Sequence, residues 1–305
     1  DGGGALAATP IGPLATKASD ALARMLSDFG GRAGFVLAGE GRASRVDLVA
    51  PALTSASGAR FTGSADSRIS YVYGADRPAI LAAWRWSVGG GGLPTGSLSL
   101  DRRGDGSISG LANLEPYQAG AARLALAPIR FSGGPNAPIR FATRAELSGP
   151  FSGGRIDRLS VPLNGFITPT GALALDGGCS RVSAGRIALA DFRIGPSAID
   201  VCSGAGAPSL SAGPDGLRGA LRIPAIDLRG TSGSSPFVLT SGPATIDLAA
   251  MRWSLALADF RLGAGEAVTW FSARGVTGRR TAQGMTGELS GASGKIAAVP
   301  LNMSD

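Results

Sequence analysis

The sequence predicts a mainly β fold, a long twisted antiparallel sheet preceded by one amphipathic helix. Three observations predict it: a period-two alternation of apolar residues from Gly34 onward, turn-forming residues between the alternating runs, and a single run at helical spacing near the start. In that run Leu14, Ala18, Ala21, Leu22, Met25, Leu26 and Phe29 share a face, Pro13 suits the first turn and Gly30-Gly31 suits the stop. These predict a helix over 13–29, in an N-terminal segment 1–33, with a β segment over 34–305.

The strands follow from alternating pairs: Leu98/Leu100, Leu124/Leu126, Ile129/Phe131, Ile139/Phe141, Leu159/Val161/Leu163, Leu173/Leu175, Ile187/Leu189, Ile199/Val201, Leu221/Ile223, Ile226/Leu228 and Leu255/Leu257. Gly104-Asp105-Gly106, Gly133-Gly134-Pro135-Asn136, Gly153-Gly154, Asp176-Gly177-Gly178, Gly213-Pro214-Asp215-Gly216 and Gly263-Ala264-Gly265 separate them. Such connections are short, so hairpins rather than crossover helices join the strands. Short blocks also recur. Gly96-Ser-Leu-Ser-Leu-Asp101 returns as Gly171-Ala-Leu-Ala-Leu-Asp176, and Ala188-Leu-Ala-Asp-Phe-Arg-Ile-Gly195 returns as Ala256-Leu-Ala-Asp-Phe-Arg-Leu-Gly263. Glu146-Leu-Ser-Gly149 and Val161-Pro-Leu-Asn164 return as Glu288-Leu-Ser-Gly291 and Val299-Pro-Leu-Asn302. Spacings near about 70 residues and twice that read as a loosely duplicated strand array.

Composition argues against catalysis. Among 305 residues there is no His, only two Cys and 17% charged residues, with 48 Gly and 19 Pro. Without imidazole there is no Ser/His/Asp triad, no Cys/His pair and no His-ligated metal. A hydrophobic content of 44% suffices for a core. The net charge of +7 is carried by Arg at all basic positions except Lys17 and Lys295, and only Arg102-Arg103 and Arg279-Arg280 are adjacent. A nucleic-acid interface would cluster them.

Ligand motifs fail one by one. Gly294-Lys295 is followed by Ile296 rather than Ser or Thr, and Gly39-Glu40-Gly41 and Gly204-Ala205-Gly206 lack the third Gly of a dinucleotide loop. In Asp101-Arg102-Arg103-Gly104-Asp105-Gly106 an Arg stands where a calcium loop needs an oxygen, so the segment reads as a hairpin tip. No cofactor or metal is expected. Trp84 and Trp86 share a strand face, and with Trp253 and Trp270 read as core or as an interface marker. Cys179 and Cys202 each abut a strand, which favours a disulfide between neighbouring strands over two free thiols, and with it an oxidising compartment.

Leu48-Val-Ala-Pro51, Ser57-Gly58-Ala59-Arg60, Tyr117 to Phe131, the Cys179 and Cys202 pair, and Gly291 to Leu301, in this order and spacing, resemble the YdbH family of AsmA-like, TamB-related envelope proteins. The resemblance implies a sheet curled into an open hydrophobic groove, part of a periplasmic protein anchored in the inner membrane. It also implies phospholipid as cargo, conducted towards the outer membrane, and a small outer-membrane lipoprotein as partner. The residues agree: a sheet whose apolar face no second sheet covers needs lipid tails or another apolar partner to fill it. The residues expected to line such a trough are Leu98, Leu100, Leu124, Leu126, Ile129, Phe131, Leu173, Leu175, Ile187, Leu189, Ile199, Val201, Leu221, Ile223, Leu255 and Leu257. The competing expectation is a structural or adhesive β-repeat with a closed core.

Overall fold

In the computed structural model, the described residues are 9–27, 29–40, 43–74, 78–203, 210–213, 216–265, 268–281, 284–296 and 299–303. The Gly204-Ala205-Gly206 segment, Gly41, Pro214 and Asp215 lie outside them. Strands take 69% of the chain and helix 7%, so the fold is mainly β with one helix. The chain divides into two compact units, residues 1–147 with 163–171 and residues 148–162 with 172–305.

The first unit opens with α1 (Ile11–Ser27). Its strands are β1 (Phe29–Glu40), β2 (Ala43–Ser55), β3 (Arg60–Gly63), β4 (Arg68–Tyr73), β5 (Ala79–Gly89), β6 (Gly96–Arg102), β7 (Ile108–Leu114), β8 (Tyr117–Ala119), β9 (Ala122–Leu126), β10 (Ile129–Gly133) and β11 (Ile139–Phe151). The helix begins two residues before the predicted start, which keeps Pro13 in its first turn. Gly30 and Gly31 do not stop it; they lie in β1, paired with Thr54 and Leu53 of β2. Lys17 anchors α1 by donating to the Gln118 carbonyl at 2.7 Å, 4.8 Å above the centre of the Tyr117 ring. Ala21, fully buried, sits against Gly92, whose carbonyl accepts the Tyr117 hydroxyl at 2.7 Å.

The pairings are antiparallel and run β1–β2, then β2 against β3 and β4 as two pieces of one broken strand, then β5, β6, β7, β10 and β11. Ser67 fills the break between β3 and β4. Its hydroxyl donates to the Arg85 carbonyl at 2.7 Å and accepts the Arg85 N–H at 3.0 Å, so the interrupted ladder keeps both bonds.

The second unit holds β12 (Gly154–Ile167), β13 (Leu173–Leu175), β14 (Cys179–Ala184), β15 (Arg186–Leu189), β16 (Phe192–Ile194), β17 (Ser197–Ser203), β18 (Leu210–Gly213), β19 (Gly216–Arg218), β20 (Ala220–Ile223), β21 (Ile226–Ser232), β22 (Ser235–Ser241), β23 (Ala244–Asp247), β24 (Arg252–Leu262), β25 (Thr269–Thr281), β26 (Gly284–Ile296) and β27 (Val299–Met303). The meander passes from β12 to β14 with β15, to β16 with β17, to β20 with β21, to β22 with β23, then β24 through β27. The Cys179–Cys202 disulfide joins register partners of β14 and β17. Beyond it β13 pairs with β18.

A crease crosses this meander in register. Ala225 faces Gly242 where β20/β21 and β22/β23 are interrupted, and the Gly242 N–H bonds to the Ala256 carbonyl at 2.8 Å. Leu257 (φ 51°) interrupts the β24–β25 pairing opposite Arg274, and Gly291 (φ 52°) interrupts β25–β26. The register does not shift across these breaks, so both strands of each pair leave the ladder at the same level and the alternation slips by one on both. Apolar positions are accordingly Leu221 and Ile223 before it but Ile226 and Leu228 after it, and Trp253 and Leu255 before it but Phe260 and Leu262 after it.

Two expectations change here, one from recurrence and one from alternation. Ala188 to Arg193 makes the β15–β16 hairpin with Ala190 at φ 47°, whereas Ala256 to Arg261 is the middle of β24. The same six residues thus form a turn once and a creased strand once, and are not equivalent parts of a duplication. Pairing partners, not the local sequence, decide between them. Leu257 likewise departs from its expected alternation with Leu255, because its left-handed backbone lies at the crease.

Candidate functional site

Each unit has a two-faced sheet. In the first, the register places Phe35 beside Leu48, Ile69 beside Ala82, Trp86 beside Leu98, Leu98 beside Ala112, and Ala112 beside Ile129. Trp84 meets Leu100, which meets Gly110, which meets Phe131, which meets Phe141. Gly110 is required there, because a Cβ would strike the Phe131 ring and the Ser99 carbonyl. Trp84 and Trp86 lie 5.3 Å apart by ring centres, and Phe61 meets Trp86 edge-on at 6.3 Å.

In the second unit an apolar row crosses five strands, Ile223–Ala244–Leu255–Val276–Leu289, and another runs Leu228–Leu239–Phe260–Phe271. Phe192, Phe237 and Phe260 form a ring cluster with centres 5.2 to 6.1 Å apart. Of the sixteen residues expected to line a trough, Leu98, Leu100, Ile129, Phe131, Ile223 and Leu255 lie in these rows. Ile187 pairs with Ile194, Leu189 with Phe192, and Ile199 with Val182. Val201 pairs with Ser180, Leu221 with Ile246, and Leu124 with Tyr117. Leu126 ends β9, half-buried. Leu173 and Leu175 stand apart on β13, paired with Ala212 and Leu210 beyond the disulfide.

Among the described residues few large side chains are buried on these faces. The buried apolar residues are mostly Ala (Ala59, Ala122, Ala174, Ala184, Ala244, Ala258, Ala273 and Ala292), with Phe237, Leu147, Leu14 and Ile223 the larger exceptions among the described residues. Phe35 and Leu37 are 71% and 76% exposed.

The opposite faces carry the charge, in same-strand and cross-strand Arg–carboxylate pairs: Arg155–Asp157 at 2.8 Å, Arg229–Asp227 at 3.1 Å, Arg261–Asp259 at 3.0 Å, Arg85–Asp101 and Arg181–Asp200 at 3.2 Å. For Arg155–Asp157, Asp227–Arg229 and Asp259–Arg261 the sequence signal is the i, i+2 spacing of Arg and Asp, which a strand turns to one side. Asp47, nearly buried, faces Arg45 at 3.1 Å as an ion pair without hydrogen-bond geometry, and Arg68 at 3.6 Å. Two carboxyls sit below their ordinary range: Asp105 because Ser107 hydrogen-bonds to it across the hairpin tip, and Asp227 because the Arg229 guanidinium does. Partial burial pushes the Tyr117 phenol up.

Two concavities on the sheets open on these polar faces. One of about 320 Å³ lies among Thr62, Ser87, Ser97 and Asn113, and one of about 680 Å³ lies among Thr245, Ser254, Thr277 and Arg279. No group of metal-ligating residues occurs among the described residues, and no helix there is long and apolar enough to cross a membrane. The disulfide indicates an oxidising compartment outside the cytoplasm. No family model, curated protein or solved structure matches the chain.

Proposed function

We propose that the chain binds lipid acyl chains on its uncovered apolar faces and serves as part of a periplasmic conduit for phospholipid between two membranes, as its resemblance to the YdbH family implies. The observation that carries the reading is the apolar surface left open on both units, from Phe35 and Leu37 to the Leu255 row. Soluble monomers expose contiguous apolar patches of a few hundred Å² at most unless something covers them. Acyl chains are the covering these faces suit. They demand no hydrogen bonds, and each methylene fully removed from water returns about 0.8 kcal/mol. Rows of Leu, Ile, Val and Phe without a polar atom bind them at any position, so a tail can slide from row to row with little change in energy. In this reading the chain is a binding module rather than an enzyme and uses no cofactor. The competing closed-core repeat draws no support from a meander whose large aliphatics stay half-exposed.

The test places a photo-crosslinking residue at Phe35, Leu100, Phe131 and Leu255, and at Ser99, Arg123 and Arg186 on the polar faces. The protein is purified without detergent and its adducts are read by mass spectrometry. Phospholipid captured from the first set and not the second is the expected result. Equal capture from both sets, or none from either, refutes the reading.

A further inference from the structure

The larger concavity has a composition that an apolar conduit does not need. Three register rows of β23, β24, β25 and β26 build it. The outer rows are Thr245–Ser254–Thr277–Glu288 and Asp247–Arg252–Arg279–Thr286, and between them runs Ile246–Trp253–Gly278–Gly287. The middle row makes the floor with its backbone, because Ile246 and Trp253 stand two residues from Ala244 and Leu255 and turn their side chains to the opposite, apolar face. The outer rows raise hydroxyls, carboxylates and two guanidiniums on either side of that floor. The volume, about 680 Å³, is that of a small-molecule site.

The two guanidiniums are set apart by their placement. Arg45, Arg85, Arg123, Arg155, Arg181, Arg229 and Arg261 each stand within 4 Å of a carboxylate, whereas among the described residues the side chains of Arg130, Arg186, Arg193 and Arg222 have no ion pair or hydrogen bond. The side chains of Arg252 and Arg279 have none there either, and the two residues stand directly opposite each other in the β24–β25 ladder. Asp247 is the register partner of Arg252, but its Oδ1 accepts the Ala250 N–H at 2.9 Å in the turn and the two side chains form no ion pair, which leaves Oδ2 open to a further donor. Like charges directly opposite on a sheet repel. An anion between them removes that repulsion, and two planar forks are suited to grip a phosphate from both sides.

We infer that this concavity is an anion site that takes the phosphate of a polyol phosphate ester between Arg252 and Arg279. The Thr277 and Thr286 hydroxyls flank the phosphate, and Glu288 and Asp247 at the two ends accept hydrogen bonds from the polyol hydroxyls. Thr245 and Ser254, 2.6 Å apart, close the remaining side with a hydroxyl pair. The smaller concavity is not such a site, because its Arg85 is already held by Asp101. The inference does not rest on the acyl-chain reading, since it concerns the opposite face and a water-soluble group.

The probe is sn-glycerol 3-phosphate, titrated calorimetrically at constant ionic strength against the protein and against R252Q, R279Q and R229Q. Expected is saturable binding, weakened at least tenfold by R252Q or R279Q and less than twofold by R229Q, whose guanidinium is paired with Asp227. R252K, which keeps the charge and loses the fork, should weaken it too, with an unchanged thermal midpoint reporting an intact fold. Flotation with phosphatidylglycerol and phosphatidylcholine vesicles identifies the source. Binding of phosphatidylglycerol vesicles with the same dependence on Arg252 and Arg279 points to a lipid headgroup, whereas binding of the soluble ester alone points to a free metabolite. Binding of neither, or binding weakened equally by R229Q, overturns the site and leaves only diffuse positive charge.

Discussion

Replacing Phe237 by Ala separates a packed patch from an open face within the same sheet. Phe237 is 5% exposed, meets Phe192 perpendicularly at 5.2 Å and Phe260 at 6.1 Å, and covers Gly230, where a Cβ would come within 2.8 Å of its ring. A buried Phe→Ala change costs about 3 to 5 kcal/mol from lost transfer and residual cavity. Each aromatic pair adds about 0.5 to 1.5 kcal/mol beyond area. The truncation range already contains these ring contacts, so the expected loss is about 4 kcal/mol. Leu37 is 76% exposed, so Leu37→Ala forfeits about a quarter of a full Leu burial, roughly 0.5 kcal/mol. Urea unfolding of the oxidised protein, followed by tryptophan fluorescence and circular dichroism, reads both from the midpoint shift at constant slope. Adding Phe260→Leu to Phe237→Ala should expose a coupling of about 1 kcal/mol, since the two rings touch. A loss below about 1 kcal/mol for Phe237→Ala would show that the ring cluster is solvated. A loss above about 2 kcal/mol for Leu37→Ala would show that the face is covered after all, and would remove the argument for lipid with it.

At the crease, Leu257→Gly should leave stability within about 0.5 kcal/mol, because relief of the left-handed backbone offsets the loss of a 65% exposed side chain; Leu257→Val should cost about 1 to 2 kcal/mol, since a branched Cβ tolerates φ 51° poorly. Thermal midpoints decide it, and a Gly variant less stable than the Val variant would refute the crease. For pH, the Asp227 carboxyl lies below its ordinary value because of the Arg229 hydrogen bond, so its contribution is present above the ordinary carboxylate range and fades as pH falls through the lowered value. Carbon NMR should show its titration midpoint rising towards the ordinary value in Arg229→Gln, and an unmoved midpoint would count against the pair.

The period of two, the turn residues and the helical run near the start sufficed to establish an antiparallel meander behind one helix. They depend only on which side each residue of a local segment must face. The cysteines were legible for the same reason, each standing at a strand end. Even the crease left a trace in the sequence, as the alternation slips by one between Ile223 and Ile226. Its meaning depends on neighbours: only the register shows that Ala225, Gly242, Leu257, Arg274 and Gly291 form one line. The two copies of Ala-Leu-Ala-Asp-Phe-Arg show the limit most directly, one a hairpin and one a creased strand, because a peptide that suits both conformations takes the one its partners leave open. The opposed Arg252 and Arg279 were out of reach as well, for what sets them apart is that they face each other across the sheet, and which residues lie across a sheet is decided by pairing between segments distant in the chain.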